Sequence, residues 1–308
     1  MAMLLADVGG TNARLAIARN GVIDGDSVTR YRGDDYDSFD RVVQTFLAGQ
    51  GNPRLTAVCV AVAGPVSGGK AELTNRDWDF SEDRLARLTD ADHVRLINDL
   101  MALGYATPRL GQDGVSLLRP APAHRDLNGQ SLVVGAGTGF NVCGVRHLSG
   151  GAITCQEAEE GHTSLPHNIA IRLAERVGTD EMPAFFSTEE TFAGRGLTQL
   201  HHALHGVKVA RAEAISTAAM QGDAQAEETY RIFTELFGLV LRELALRFMP
   251  LNGMYLAGSV ARSFAHRSEQ LESAFLAEPY MRHITENTPL LLIRDDMAAL
   301  HGCLAAIT

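Results

Sequence analysis

Two carboxylates and two glycine turns are the residues with chemistry to do. Asp7 follows an apolar run, Met3-Leu4-Leu5-Ala6, and leads at once into Val8-Gly9-Gly10-Thr11-Asn12. Asp99 follows Asn98 at the end of a second run, His93 to Ile97. A second turn, Gly135-Ala136-Gly137-Thr138-Gly139, again separates two apolar runs. A glycine-rich turn lets backbone N–H groups converge on an anion, because no Cβ blocks the approach. Thr11, Asn12 and Thr138 add side chains that donate to phosphate oxygens. A carboxylate just before such a turn, as Asp7 is, suits Mg²⁺, directly or through water. One such turn alone reads as a tight hairpin. Two, each opening into an apolar return strand, point to a nucleotide. Neither is a P-loop, since no Gly-Lys-Ser/Thr follows, and neither is a dinucleotide fingerprint, since both lead into strands. Asn98-Asp99 carries two readings locally: a strand-end turn or helix cap, or a general base beside an amide that both donates to and accepts from hydroxyls.

The elements that must position these groups alternate between strand and helix. Met3–Ala6 and Ala13–Ala18 read as a strand and its return. Ser38–Ala48 has helical spacing, Leu55–Ala63 is a buried strand ending at Gly64-Pro65, and Phe80–Leu88 reads as a helix with Ser81 as its cap. Ser131–Val134 and Phe140–Val145 repeat the form of the N-terminal hairpin roughly 130 residues later. Gln225–Phe248 is a long amphipathic helix, Met254–Ala257 a short strand and Met297–Ala306 a closing helix. Alternating elements imply an α/β protein, with a domain boundary in the Pro-rich stretch Arg119-Pro120-Ala121-Pro122-Ala123.

The composition narrows the partners. The 308 residues are 45% hydrophobic and 21% charged, with a formal net charge of −10. That acidity argues against nucleic acid, which needs a basic face. No apolar run approaches the roughly 18 residues of a membrane helix, and the N-terminus lacks the features of a signal peptide, so a cytoplasmic protein is expected. Cys59, Cys143, Cys155 and Cys303 are scattered and read as buried free thiols.

Asp7-Val8-Gly9-Gly10-Thr11-Asn12-Ala13-Arg14 resembles the first phosphate motif of the sugar kinases in the hexokinase–actin–heat-shock-ATPase superfamily. Gly135–Gly139 resembles the second, and Tyr255-Leu256-Ala257-Gly258-Ser259-Val260 the segment that closes over the nucleoside. Thr74-Asn75-Arg76-Asp77-Trp78, Ile97-Asn98-Asp99 and Glu159-Glu160-Gly161-His162 are similar to the sugar-site motifs of bacterial glucokinases, in order and over nearly the whole chain.

The resemblance implies a two-domain actin-like ATPase (ribonuclease H-like) fold with an interdomain cleft that closes on sugar. A small α/β domain would span 1–120, joined by the C-terminal helix at about 295–308, and a large α/β domain 121–294. It implies ATP and Mg²⁺ as cofactors, glucose or a similar hexose as substrate, and a homodimer. Asp7, Gly9, Gly10, Thr11, Asn12, Gly137, Thr138 and Gly258 would hold the nucleotide, with Asp7 also serving Mg²⁺. Asn75, Asn98, Asp99, Glu159, His162 and Glu189 would hold the sugar, with Asp99 as general base. Trp78 would either wall the sugar loop or anchor the core.

Two departures stand out. Glu160 occupies a position where the family has glycine, which leaves open whether Glu159 or Glu160 faces the ligand, and Ser259 replaces a frequent glycine by the nucleoside. His162 lacks the nearby cysteines of the zinc-binding repressor-type relatives, so no zinc is expected. The competing readings are a kinase for another hexose or sugar acid, a catalytically weak sugar sensor, and an ATP-driven chaperone or filament protein of the same superfamily.

Overall fold

The computed structural model describes residues 2–73, 76–277 and 279–308. Residues 2–111 and 295–308 form one compact unit, and 112–294 a second. The division falls after Gly111, earlier than the expected 120. Val115–Arg119 is a strand hydrogen-bonded to Leu290–Ile293, so it belongs to the second unit's sheet, and the Pro-rich stretch follows inside that unit.

The first unit is built on β1 (Ala2–Val8), β2 (Asn12–Arg19), β3 (Val22–Ile23), β4 (Thr29–Arg32), α1 (Phe39–Gly49), β5 (Leu55–Val62), the small sheet β6 (Val66–Ser67), β7 (Lys70–Glu72) and β8 (Asp79–Ser81), α2 (Glu82–Thr89), β9 (His93–Asn98) and α3 (Asp99–Ala106). Its main sheet runs β3-β2-β1-β5-β9, with β4 also on β2. Ser38 caps α1 by accepting from the Arg41 N–H. Ser81 caps α2 as expected, but the helix begins only at Glu82, because Phe80 pairs with Ala71 in the small sheet. One face of the main sheet (Leu4, Ala6, Val8, Val58, Val60, Val62) packs on Phe39, Val42, Val43 and Phe46 of α1.

The second unit contains β10 (Val115–Arg119), β11 (Gln130–Ala136), β12 (Phe140–His147) and β13 (Ile153–Glu157), then α4 (His167–Val177), α5 (Thr188–Phe192), α6 (Gly194–His205), α7 (Ala212–Met220) and α8 (Ala224–Phe248). It is completed by β14 (Gly253–Ala257), α9 (Ser259–Ser263), α10 (Ser268–Phe275), α11 (Arg282–Asn287) and β15 (Leu290–Ile293). Its sheet runs β10-β15-β14-β11-β12-β13. The two hairpins seen in the sequence therefore extend into whole sheets of one plan. In each, a hairpin (β1–β2 or β11–β12) is flanked by two parallel strands (β5 and β9, or β14 and β15). Helix α8 supplies Phe233 and Phe237 to an aromatic cluster with Phe140, Phe192 and Phe264. Phe140 is the first residue after the second glycine turn, so the core anchors that turn directly.

Helix α12 (Ala298–Ile307) packs on α3 and on the second face of the first sheet. That face carries small residues, among them Ala16, Ala18, Cys59 and Ala61, all fully buried, as is Cys303 on the helix that covers it. A Cβ on Gly302 would overlap the backbone carbonyl of Ala102 in α3. Overpacking of this kind costs about 1–3 kcal/mol. Gly302→Ala is therefore expected to lower the melting temperature by about 3–10 °C. Scanning calorimetry checks this; an unchanged melting temperature would mean the two helices are not held this closely.

Candidate active site

In the first unit, the β1–β2 register sets Asp7 opposite Arg14 and Val8 opposite Ala13, leaving residues 9–12 to make the turn. The Gly9 N–H donates to Asn12 O (2.9 Å), the Gly33 N–H to Thr11 O (2.9 Å) and Arg76 Nε to Gly10 O (3.2 Å). The carbonyls of Gly10, Thr11 and Asn12 are thus occupied by the protein. Among the described residues, the N–H groups of Gly10 and Thr11 have no acceptor. That is an anion cradle. It opens on a cavity of ≈ 310 Å³ lined by Asp7, residues 9–12, Arg14 and Arg30.

Parallel pairing aligns Val8 with Val62 and Val62 with Asn98, so three strands end at one level. Asp7 and the first turn share that edge with Asn98 and Asp99. Asn98 is a helix cap: its Oδ1 accepts from the Leu100 N–H (2.9 Å), while its Nδ2 donates to Gly64 O (3.0 Å). The same side chain also bonds to the Asp99 carboxyl and helps hold its pKa down. Asp99 opens α3, and its Oδ1 shares the Leu100 N–H (2.9 Å). Burial, and then the charge of Asp7, push its carboxyl up to about 6 against the pull of these hydrogen bonds. Burial also raises Asp7, and Arg14 opposes the rise. Asp7, a desolvated carboxylate beside an anion cradle, is a donor that fits a divalent cation, since a cation relieves its burial and its repulsion with Asp99.

Asn75 lies outside the described residues. Its neighbour Arg76 pairs with Asp34 (2.5 Å) and sits 5.1 Å from the Trp78 ring centroid. Trp78 itself is a core residue, 4% exposed and packed on Phe39.

In the second unit, the turn at 137–139 is closed by the Gly137 N–H donating to Gly139 O (2.9 Å). The Gly194 N–H donates to Gly137 O (2.8 Å), and Arg195 Nη1 to Thr138 O (3.3 Å). The N–H groups of Thr138 and Gly139 again have no acceptor among the described residues. Strand β14 aligns Ala257 with Gly135, which brings Gly258 and Ser259 to this turn. Gly258 has φ +100°, and a Cβ there would overlap the Ala136 carbonyl oxygen, so only glycine fits.

The doubled acid at 159–160 separates cleanly. Glu160 is 9% exposed and ion-paired with Arg247. Glu159 is exposed, with its Oε2 accepting from Asn141 Nδ2 (3.1 Å). His162 is exposed on the same short turn. A Cβ on Gly161 would overlap Phe140 O, so this turn lies directly on the start of β12. Glu189 Oε2 accepts from the Phe140 N–H (2.9 Å), and its Oε1 from Arg195 Nη2 (2.5 Å). Each oxygen keeps a further lone pair. The second unit therefore gathers Glu159, His162, Glu189, Gly137, Thr138 and Gly258 around Phe140. The first gathers Asp7, Gly9, Gly10, Thr11, Asn12, Asn98 and Asp99. Sequence reasoning did not assign Arg30 or Arg195 to the site. Only the register of Arg14 with Arg30 and the turn at Thr138 reveal them, and neither contact is local in sequence.

Two sheets of one plan, each carrying a bare-amide turn, define a phosphotransferase of the actin-like ATPase fold, and solved sugar kinases share that fold. The structure of a glucokinase from an Antarctic psychrotroph superposes with a TM-score of 0.84 at 26% identity, covering 99% of this chain and 98% of that one. That of Balamuthia mandrillaris glucokinase in complex with glucose does so with a TM-score of 0.75 at 21% identity, covering 100% and 94%. In sequence, the glucokinase of Caulobacter sp. (strain K31) is 31% identical over 322 residues, 99% of this chain and 94% of its own length. That of Pseudomonas paraeruginosa is 31% identical over 271 residues, 86% and 79%. The family model for glucokinase matches residues 4–308. The chain belongs to the glucokinase family.

Two outcomes follow from this geometry. Glu160→Gln, which strips a buried partner from Arg247, is expected to cost about 1–2 kcal/mol of stability, while Glu159→Gln leaves the melting temperature within about 1 °C; equal effects would refute the division of roles. Asp99 is expected to weigh on stability in the opposite sense to a cap. Folding raises its pKa from 3.8 to about 6, so its favourable contribution is complete below about pH 4 and lost as the pH rises through about 6. Asp99→Asn should therefore melt higher than the wild type at about pH 7–8, with the gain vanishing near pH 4. A lower melting temperature at neutral pH would show that capping dominates.

Proposed function

We propose that Asp99 is the general base of the ATP-dependent phosphorylation of glucose that the family assignment gives this chain. The observation that carries the proposal is the position of its carboxylate at the strand-end edge that also bears the first phosphate turn and Asp7. A hydroxyl is a poor nucleophile until its proton has somewhere to go. With a pKa of about 6, Asp99 is mostly ionised at neutral pH yet more basic than an ordinary carboxylate. Both properties suit a base that must lift a proton as the phosphoryl group arrives.

The remaining roles follow from the groups left available. The free N–H groups of Gly10 and Thr11 in one unit, and of Thr138 and Gly139 in the other, are donors for phosphate oxygens. Asn98 keeps a lone pair on its Oδ1 for a sugar hydroxyl while its cap bonds hold it still. Glu159 and His162 are the hydroxyl ligands of the second unit, because Glu160 is committed to Arg247. Glu189 keeps one lone pair on each oxygen for the same purpose. Mg²⁺, when bound, would be held through Asp7 and would neutralise phosphate charge. The absence of disulfides among the described residues and an ATP-using reaction support a cytoplasmic location. The family resemblance supports a homodimer.

Asn is nearly isosteric with Asp but cannot take up the proton. Asp99→Asn is expected to lower kcat by about 10²–10⁴-fold while glucose affinity stays within about tenfold. In the wild type, kcat/KM should fall with unit slope below about pH 6, and this limb should vanish in the variant. Steady-state kinetics across pH decide. A variant keeping more than about a tenth of wild-type kcat would remove Asp99 from the mechanism.

A further inference from the structure

We infer that Arg195 is a positioning residue that binds Glu189 and the second phosphate turn into one body, aiming the Gly139 N–H at the ligand. This rests on the reading of the turn and Glu189 as parts of a sugar-kinase site. The guanidinium has three acceptors. Nη2 reaches Glu189 Oε1 (2.5 Å), Nε reaches Glu190 Oε1 (2.7 Å) and Nη1 reaches Thr138 O (3.3 Å). In a trans peptide the C=O and the following N–H point in opposite directions. Holding the Thr138 carbonyl therefore turns the Gly139 N–H the other way, outward from Arg195. The Gly194 N–H on Gly137 O does the same for the Thr138 N–H.

Glu189 closes the loop. Its second oxygen takes the Phe140 N–H, and a Cβ on Gly139 would come within 2.6 Å of it. The carboxylate thus lies against the turn itself. Without a cation it would face the turn's phosphate as an uncompensated negative charge, and so would Glu190. Arg195 neutralises both and fixes the direction of each. Its rigid fork is what allows three acceptors at set angles; a lysine ammonium is a point donor on a flexible stem. A displacement of the turn or of Glu189 therefore moves the other, so sugar and nucleotide recognition in this unit share one support.

The test compares ATP and glucose kinetics of the wild type with those of Arg195→Met, Arg195→Lys and Glu190→Gln. Arg195→Met should raise KM for both ATP and glucose by about 5–50-fold, the usual worth of a residue that orients ligand-binding groups. Arg195→Lys should recover less than half of that loss on a logarithmic scale, since charge without the fork does not hold the geometry. Glu190→Gln, the variant that spares the arginine, should raise both constants about 2–5-fold. If Arg195 instead touched phosphate directly as a charge, Glu190→Gln would free it and lower KM for ATP, and Arg195→Lys would restore binding with glucose KM never disturbed; either result overturns the inference. So would Arg195→Met with both constants within twofold of wild type. A wild-type protein that fails to phosphorylate glucose refutes the underlying reading instead, and that outcome is separate because it needs no variant.

Discussion

A peptide N–H can face a ligand only if the carbonyl on the other side of the same peptide finds a partner behind it. Both glycine turns are built around that constraint. In the first, Arg76 takes the Gly10 carbonyl, which turns the Thr11 N–H the other way, and the Gly33 N–H holds the Thr11 carbonyl next to it. In the second, those of Gly137 and Thr138 are taken by the Gly194 N–H and Arg195. Each turn is thus held by one backbone donor and one arginine, and each arginine is itself held by carboxylate. The surrounding fold supplies these partners: β4 leads into Gly33, the small sheet frames Arg76, and α6 starts at Gly194. The bare amides of Thr11, Thr138 and Gly139 are what remains when the carbonyls behind them are satisfied.

The carboxylates follow a related logic. A charge taken out of water raises its own pKa, and a like charge beside it raises it further. Asp99 meets both conditions because parallel pairing ends three strands at one level, with Asp7 on one strand and Asp99 just past another. Its hydrogen bonds to the helix start restrain the rise. A carboxylate in the open loop that local sequence also allows would have had neither neighbour nor burial.

Much of this could be read from residues alone, and the reasons are local. Apolar runs flanking Gly9-Gly10 and Gly135–Gly139 announce both hairpins, because strand and turn chemistry lie within about a dozen residues of each other. Helix α3 gave no such signal. In Asp99-Leu100-Met101-Ala102-Leu103-Gly104-Tyr105-Ala106 the apolar residues run round the whole helix, and it packs against α12 from far downstream, so no polar face marks its period. The roles of Glu160, Arg30 and Arg195 were equally hidden. Arg247, Arg14 and Thr138 lie far along the chain from them, and only the folded register reveals which acid is buried and which arginine bears on a turn. Asn98 illustrates the middle case, in which capping and ligand binding looked exclusive but an amide has enough donors and acceptors for both.

The place of α12 bears on how the molecule is made. The first unit needs this helix to cover one face of its sheet, yet residues 112–294 intervene between α12 and the rest of that unit. The second unit is a single uninterrupted stretch. Domains usually complete themselves from the N-terminus as the chain leaves the ribosome, but here the order is reversed. The later unit can reach its native packing first, while the earlier one waits with the small-residue face of its sheet uncovered. During that interval the nascent chain exposes Ala16, Ala18, Cys59 and Ala61.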